Sequence, residues 1–103
     1  ISEPECHPGL SGVLTSAVDW VSRVPGDVWL DKPVGLMSAA AGRSGGARAN
    51  YALRLAMQPF KTRLIQAEVL VAGPAREFQD GELPSAAYQK SRAAVVAALT
   101  AAL

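Results

Sequence analysis

Apolar positions recur at helical spacing in three stretches of this chain and gather into short strand-like runs in two others, with Pro and Gly between them. Residues 12–23 carry Val13, Leu14, Ala17, Val18 and Val21 at helical spacing, with Ser11 suited to the N-cap. Pro25 and Gly26 end that helix. After a connector holding Trp29, residues 33–38 (Pro-Val-Gly-Leu-Met-Ser) read as a short buried strand, and residues 39–46 as a loop of small residues. Residues 47–58 are rich in strong helix formers and are bounded by Pro59. Residues 63–71 (Arg-Leu-Ile-Gln-Ala-Glu-Val-Leu-Val) read as a second strand. Residues 72–82, with Gly73, Pro74 and Asp80-Gly81, read as a loop. Pro84 then suits the first turn of a last helix running to Leu103, with Ala87, Tyr88, Val95, Leu99 and Leu103 along one face. The opening residues 1–11, dense in Pro and Gly, read as a loop.

Strands alternating with helices imply βαβ units and a parallel sheet. Each parallel strand must be covered on both faces, so two strands cannot seat three helices. The chain also opens at Ile1, with a motif in its first seven residues. The expectation is one α/β domain of which residues 1–103 form the C-terminal part, its front portion lying upstream.

Composition narrows the class. Half of the residues are apolar, 18% are charged and the formal net charge is +1, which suits a packed body and disfavours a disordered tail. There is no basic excess to draw nucleic acid or an anionic membrane as partner. Charged or Pro residues interrupt every apolar run before the ~20 residues of a membrane span. One cysteine, Cys6, allows no intrachain disulfide and makes a reducing, cytoplasmic compartment the default. His7 is the single histidine, which disfavours a His-based zinc site.

In parallel α/β sheets ligands sit beyond the carboxyl ends of the strands, where loops lead into helices. Two such loops are present: Ser2-Glu3-Pro4-Glu5-Cys6-His7-Pro8-Gly9, and Ser38-Ala39-Ala40-Ala41-Gly42-Arg43-Ser44-Gly45-Gly46. The glycines of the second let backbone N–H groups approach a ligand closely, though many such loops only connect elements.

The motifs taken together are more specific. Pro4-Glu5-Cys6-His7, followed by Gly12-Val13-Leu14 and Ala17-Val18-Asp19-Trp20, resembles the NADPH-dependent FMN reductase family, whose loop reads Pro-Glu-Tyr-Asn before a helix ending in Asp-Trp. Lys32-Pro33-Val34, Ser38, Gly42, Gly45-Gly46-Ala47-Arg48 and Tyr51-Ala52-Leu53-Arg54 match its next strand, loop and helix in order and spacing, and Glu68 falls in its following strand. The resemblance implies a flavodoxin-like, three-layer α/β/α fold, an FMN cofactor, and NAD(P)H oxidation with two-electron reduction of quinones, azo dyes, chromate or free flavin. It assigns the flavin ring to Pro4, Glu5, Cys6 and His7 through their backbone, and to Ser38, Gly42, Arg43, Gly45 and Gly46 on the other side. No residue is assigned a catalytic acid or base, because the flavin carries the chemistry. The family's phosphate-binding loop follows a first strand that lies outside this sequence. A homodimer or homotetramer is implied as well, with the Ala47–Met57 helix at a subunit contact.

Cys6 stands where the family has Tyr, and His7 where it has Asn. Cys6 is either a redox thiol beside the flavin or a small filler; His7 is either a proton donor near neutral pH or a solvent-facing loop residue. Trp20 and Trp29 either stack on a cofactor or serve packing and subunit contacts. Arg43 either attracts the phosphates of a nicotinamide nucleotide or is a free loop cation. Arg48, Tyr51 and Glu68 form either a polar cluster between subunits or a solvated face. The rival reading of the whole is a flavodoxin-like module that acts only in assembly or interaction.

Overall fold

The computed structural model describes residues 1–103. Strands β1 (Ser2–Pro4), β2 (Pro33–Ala40) and β3 (Arg63–Ala72) form one sheet in the order β1-β2-β3, with both pairings parallel. Helix α1 (Gly12–Val21) links β1 to β2, and α2 (Ala47–Met57), followed by a short 3-10 turn over Gln58–Phe60, links β2 to β3. A single helical turn, α3 (Pro74–Glu77), and the long α4 (Ala86–Ala102) complete the chain.

Side chains of β2 alternate between two cores, as the strand period requires. Val34 and Leu36 join Leu53 and Met57 of α2 on one face, with Leu14 and Val18 of α1 packed against them. On the other face Val69, Val71, Leu83 and Val95 form the second core, with Met37, Ala39, Tyr88 and Leu99 beside it. Helices therefore cover both faces, α1 and α2 on one and α4 on the other. Gly35 sits under α4 because a Cβ there would lie 2.9 Å from Val95 Cγ1.

Several elements differ from the sequence reading. Residues 1–11 are not all loop: Ser2–Pro4 pair with Met37–Ala39 as a third strand. Three residues carry too little pattern to read as a strand, and only the neighbouring strand supplies their hydrogen bonds. β2 runs on to Ala40 and β3 to Ala72. The reading of 72–82 as a plain loop is corrected by α3 and by a two-residue hairpin. In that hairpin Gln79 and Glu82 exchange backbone hydrogen bonds of 2.8 and 2.9 Å across Asp80-Gly81. Both turn residues have positive φ (51° and 77°), which is what Asp-Gly favours. Pro84 precedes α4 and lies outside it, with Ser85 at the N-cap. On α4, Tyr88, Val95 and Leu99 face the sheet, whereas Ala87 is exposed and Leu103 is 94% exposed. On α1 no side chain is fully buried and the half-buried stripe is Leu14, Val18 and Val21; Val13, expected inside, is 85% exposed, and Ala17 is exposed too.

The β2–β3 register is irregular. Val34 pairs with Leu64 but Leu36 with Glu68, so two steps along β2 are matched by four along β3. The extra residues take carbonyls out of the ladder, and these need other donors. Arg54 on α2 supplies them: Nη1 donates to Ile65 O at 2.9 Å, and Nη2 reaches Gln66 O at 3.5 Å and Glu68 Oε2 at 3.1 Å. Its Nε donates to Asn50 Oδ1 at 3.1 Å. Arg54→Met keeps the stem and removes every donor, so a loss of about 2 kcal/mol is expected from the stranded acceptors. Urea unfolding of the complete protein checks this. Arg54→Lys is expected to recover little, because one ammonium cannot span that fork of acceptors.

Candidate functional site

The carboxyl ends of β1 and β2 lie side by side. Pro4 is in register with Ala39, and Glu5 N–H donates to Ala39 O at 2.9 Å, carrying the ladder one residue past β1. The loop leaving β1 and the glycine loop leaving β2 therefore emerge on one rim of the sheet. Glu5 also ties the first loop to the helix that follows the second, because its Oε2 accepts from Ala49 N–H in the first turn of α2 at 2.9 Å. A carboxylate there satisfies a donor the helix leaves unpaired and complements the helix dipole.

Two residues back, Glu3 points to the same face of the sheet, as alternation demands. It is 2% exposed and accepts from Ser11 N–H at 2.6 Å and Ser11 Oγ at 3.3 Å. Ser11 Oγ in turn accepts from Leu14 N–H at 3.2 Å, the N-cap bond that starts α1.

The glycine loop is built on close approach. Ser38 Oγ donates to Gly45 O at 2.8 Å. Gly45 has φ +61°, and a Cβ there would lie 2.6 Å from the Leu70 carbonyl carbon. The loop thus lies directly on the backbone of β3, which only glycine permits.

All nine residues singled out in the sequence fall on this rim, but they divide into two groups. Pro4, Cys6, His7, Gly42 and Arg43 are exposed and Glu5 is half-buried, whereas Ser38, Gly45 and Gly46 are buried and serve to hold the loop. The N–H groups of Cys6, His7, Ala41, Gly42, Arg43 and Ser44 have no acceptor within the chain. The rim is a line of backbone donors with small or absent side chains at Ala41, Gly42 and Ser44. Arg43 has no ion-pair partner.

The family model for NADPH-dependent FMN reductase matches residues 1–76, which include both loops and the strands that carry them. The chain belongs to this family. The three-layer parallel architecture is accordingly the flavodoxin-like one. An NAD(P)H-dependent FMN reductase of Pseudomonas aeruginosa is 47% identical over 51 residues, half of this chain and 28% of that protein. An NAD(P)H:quinone oxidoreductase of Solanum tuberosum is 43% identical over 53 residues, 52% of this chain and 26% of its own length. A quinone reductase of Escherichia coli is 41% identical over 54 residues, 52% of the chain and 29% of that enzyme. The matched stretches thus span less than a third of these relatives.

The residues of the two loops fit a planar, acceptor-rich ring. Free N–H donors can meet ring oxygens and nitrogens, and at Ala41, Gly42 and Ser44 the glycine loop has little or no side chain to hold a ring away from the backbone. The remaining residues of interest lie elsewhere. Trp29 packs on Phe60, with ring centroids 6.4 Å apart, in the connector that precedes β2 and so at the opposite end of the strands from the rim. Trp20 stands 77% exposed on α1. Glu68 does meet Tyr51, whose Oη donates to Glu68 Oε1 at 3.3 Å, but its ionic partner is Arg54 and Arg48 is free.

The sequence reading passed over Glu3, Asn50 and Arg54 as structural parts of the site. Asn50 is fully buried, with its Oδ1 bonded to Arg54 and its Nδ2 unpartnered. Glu3 carried a usable signal: an acid at the alternate position to Glu5, in a stretch that must join a sheet.

Proposed function

We propose that the protein containing this chain is a cytoplasmic, FMN-dependent NAD(P)H oxidoreductase that reduces small acceptors (quinones above all, and azo compounds, chromate or free flavin) by two electrons. Residues 1–103 are the C-terminal part of its single flavodoxin-like domain. The observation that carries the reading is the shared rim, on which the Cys6–His7 loop and the Ala41–Gly46 loop both offer free backbone donors and Glu5 joins the first loop to the start of α2 that follows the second. When bound, FMN would supply the redox chemistry, the two-electron exchange between NAD(P)H and the acceptor. The chain's residues bind and orient. N–H groups of Cys6 and His7, and of Ala41 to Ser44, would hold the ring's polar edge, and Cys6 leaves open the space that a larger side chain would fill. Arg43 is suited to the phosphates of the nicotinamide nucleotide. No helix here is long and apolar enough to cross a membrane, and the near-neutral charge supports a small-molecule partner over nucleic acid.

The test is direct. The complete protein should be yellow when purified, release FMN on denaturation, and oxidise NAD(P)H in the presence of a benzoquinone. A colourless protein that neither binds added FMN nor consumes NAD(P)H would favour the assembly-module reading. Residues 1–103 alone are expected to bind FMN no tighter than micromolar, because the ring-side loops lack a phosphate site.

A homo-oligomer is part of the same reading. Tyr51 (54%) and Leu55 (75%) on α2, with Val13 (85%) and Trp20 (77%) on α1, present apolar surface that the sheet does not use. Such faces suit a twofold contact. The complete protein should scatter light as a dimer or tetramer, and Tyr51→Glu should shift it toward smaller species. A monomeric wild type would end this part of the proposal.

A further inference from the structure

Between its two ends, the loop from Cys6 to Leu10 has no backbone support. None of its N–H groups finds an acceptor within the chain, and Gly9 takes a φ of +133° that other residues rarely adopt. A segment with so few bonds of its own keeps one shape only through its anchors. Both anchors are carboxylates from alternate positions at the end of β1. On entry, Glu5 accepts from Ala49 N–H at 2.9 Å. On exit, Glu3 accepts from Ser11 N–H at 2.6 Å and from its hydroxyl at 3.3 Å.

Neither acid forms an ion pair within the chain. Glu3 is also 2% exposed, and a buried carboxylate without a cation is costly unless donors surround it. An apolar side chain at that position would serve the core more cheaply. What Glu3 adds is a short, charge-assisted bond to the residue where the loop turns into α1.

We propose that Glu3 and Glu5 are positioning residues for the flavin ring. Glu3 acts through Ser11 and Glu5 through Ala49; together they fix the path of the loop and so the places of the Cys6 and His7 N–H groups. The proposal rests on the FMN reading above and goes beyond it by assigning the loop's geometry to two side chains that need not touch the ring.

The test uses the complete protein with Glu3→Ala, Glu3→Gln and Glu5→Ala. Amide exchange of Ser11 and Ala49, followed by NMR on the flavin-free protein, reads the anchors directly. FMN affinity and the visible circular dichroism of bound FMN read their consequence. Glu3→Ala should speed Ser11 exchange and weaken FMN binding about tenfold each, the equivalent of one lost hydrogen bond to a charged group, with an altered flavin dichroism. Glu5→Ala should do the same at Ala49. Glu3→Gln keeps one acceptor oxygen but loses the charge and the second acceptor, so its effects should fall between those of wild type and Glu3→Ala. If Glu3→Ala fails to fold, Glu3→Asp, one methylene short, should reproduce its effects. Faster exchange with unchanged FMN affinity and dichroism would overturn the proposal by leaving the acids a purely structural role; unchanged exchange would overturn it outright. A wild type that binds no FMN would instead sink the functional reading, a different and separable failure.

Discussion

Gly45→Ala is expected to destabilise the complete protein by about 3 kcal/mol and to cost most of its FMN binding. Two penalties act at once. The φ of +61° strains any residue with a Cβ, and the added atom would sit 2.6 Å from the Leu70 carbonyl carbon, 2.7 Å from its oxygen and 2.9 Å from Val71 N. These are backbone atoms in a paired strand and cannot swing aside as a side-chain tip can. Relief must come from the glycine loop lifting off β3, which breaks the bond of Ser38 Oγ to Gly45 O and moves Gly42 and Arg43 with it. Gly42→Ala makes the control, since a Cβ there meets nothing within 4 Å and its φ is not positive. Urea midpoints and FMN titrations of both variants decide the matter. A Gly45→Ala protein within 1 kcal/mol of wild type would show that the loop does not rest on β3 as described.

Leu53→Ala is the second large effect, with an expected loss of roughly 2–5 kcal/mol. Leu53 is fully buried and packs with Val34, Leu36 and Met57, so truncation leaves a cavity walled by a central strand that cannot collapse into it. Alanine preserves the helix, which separates packing from propensity. The functional cost should be smaller than the stability cost, because the first turn of α2 is held separately by Glu5 at Ala49. Thermal unfolding together with FMN affinity tests both halves. A Leu53→Ala variant that keeps its stability but loses FMN would reverse this assignment.

Much of the fold was legible along the chain because its signals are local. A short apolar run marked β2 and a Val-, Ile- and Leu-rich run β3, Pro59 and Gly73 stood at element boundaries, and Asp80-Gly81, read as part of a loop, forms a turn with both residues at positive φ. The rim could be located from order alone, since parallel α/β topology sends the loops after β1 and β2 to the same edge. Spaced motifs made the family recognisable, and the match over residues 1–76 bears that out.

What stayed hidden depends on partners distant in sequence. Ser2–Pro4 become a strand only because β2 lies beside them. The side of α1 that turns inward could not be chosen from its sequence, where Val13 and Leu14 look alike; packing against Leu36 and its neighbours selects Leu14 and leaves Val13 outside. That Gly45 is buried while Gly42 and Arg43 stay exposed follows from the backbone of β3 directly beneath Gly45. Glu3 and Arg54 gained their roles in the same way, one from a loop end eight residues on and the other from carbonyls released by an irregular register. Local composition and periodicity specify which segments are helix or strand, because backbone propensity and side-chain period act over a few residues. Which polar groups are left without partners, and which side chains reach them, is settled only when the segments pack, because burial and hydrogen-bond satisfaction belong to the assembled whole.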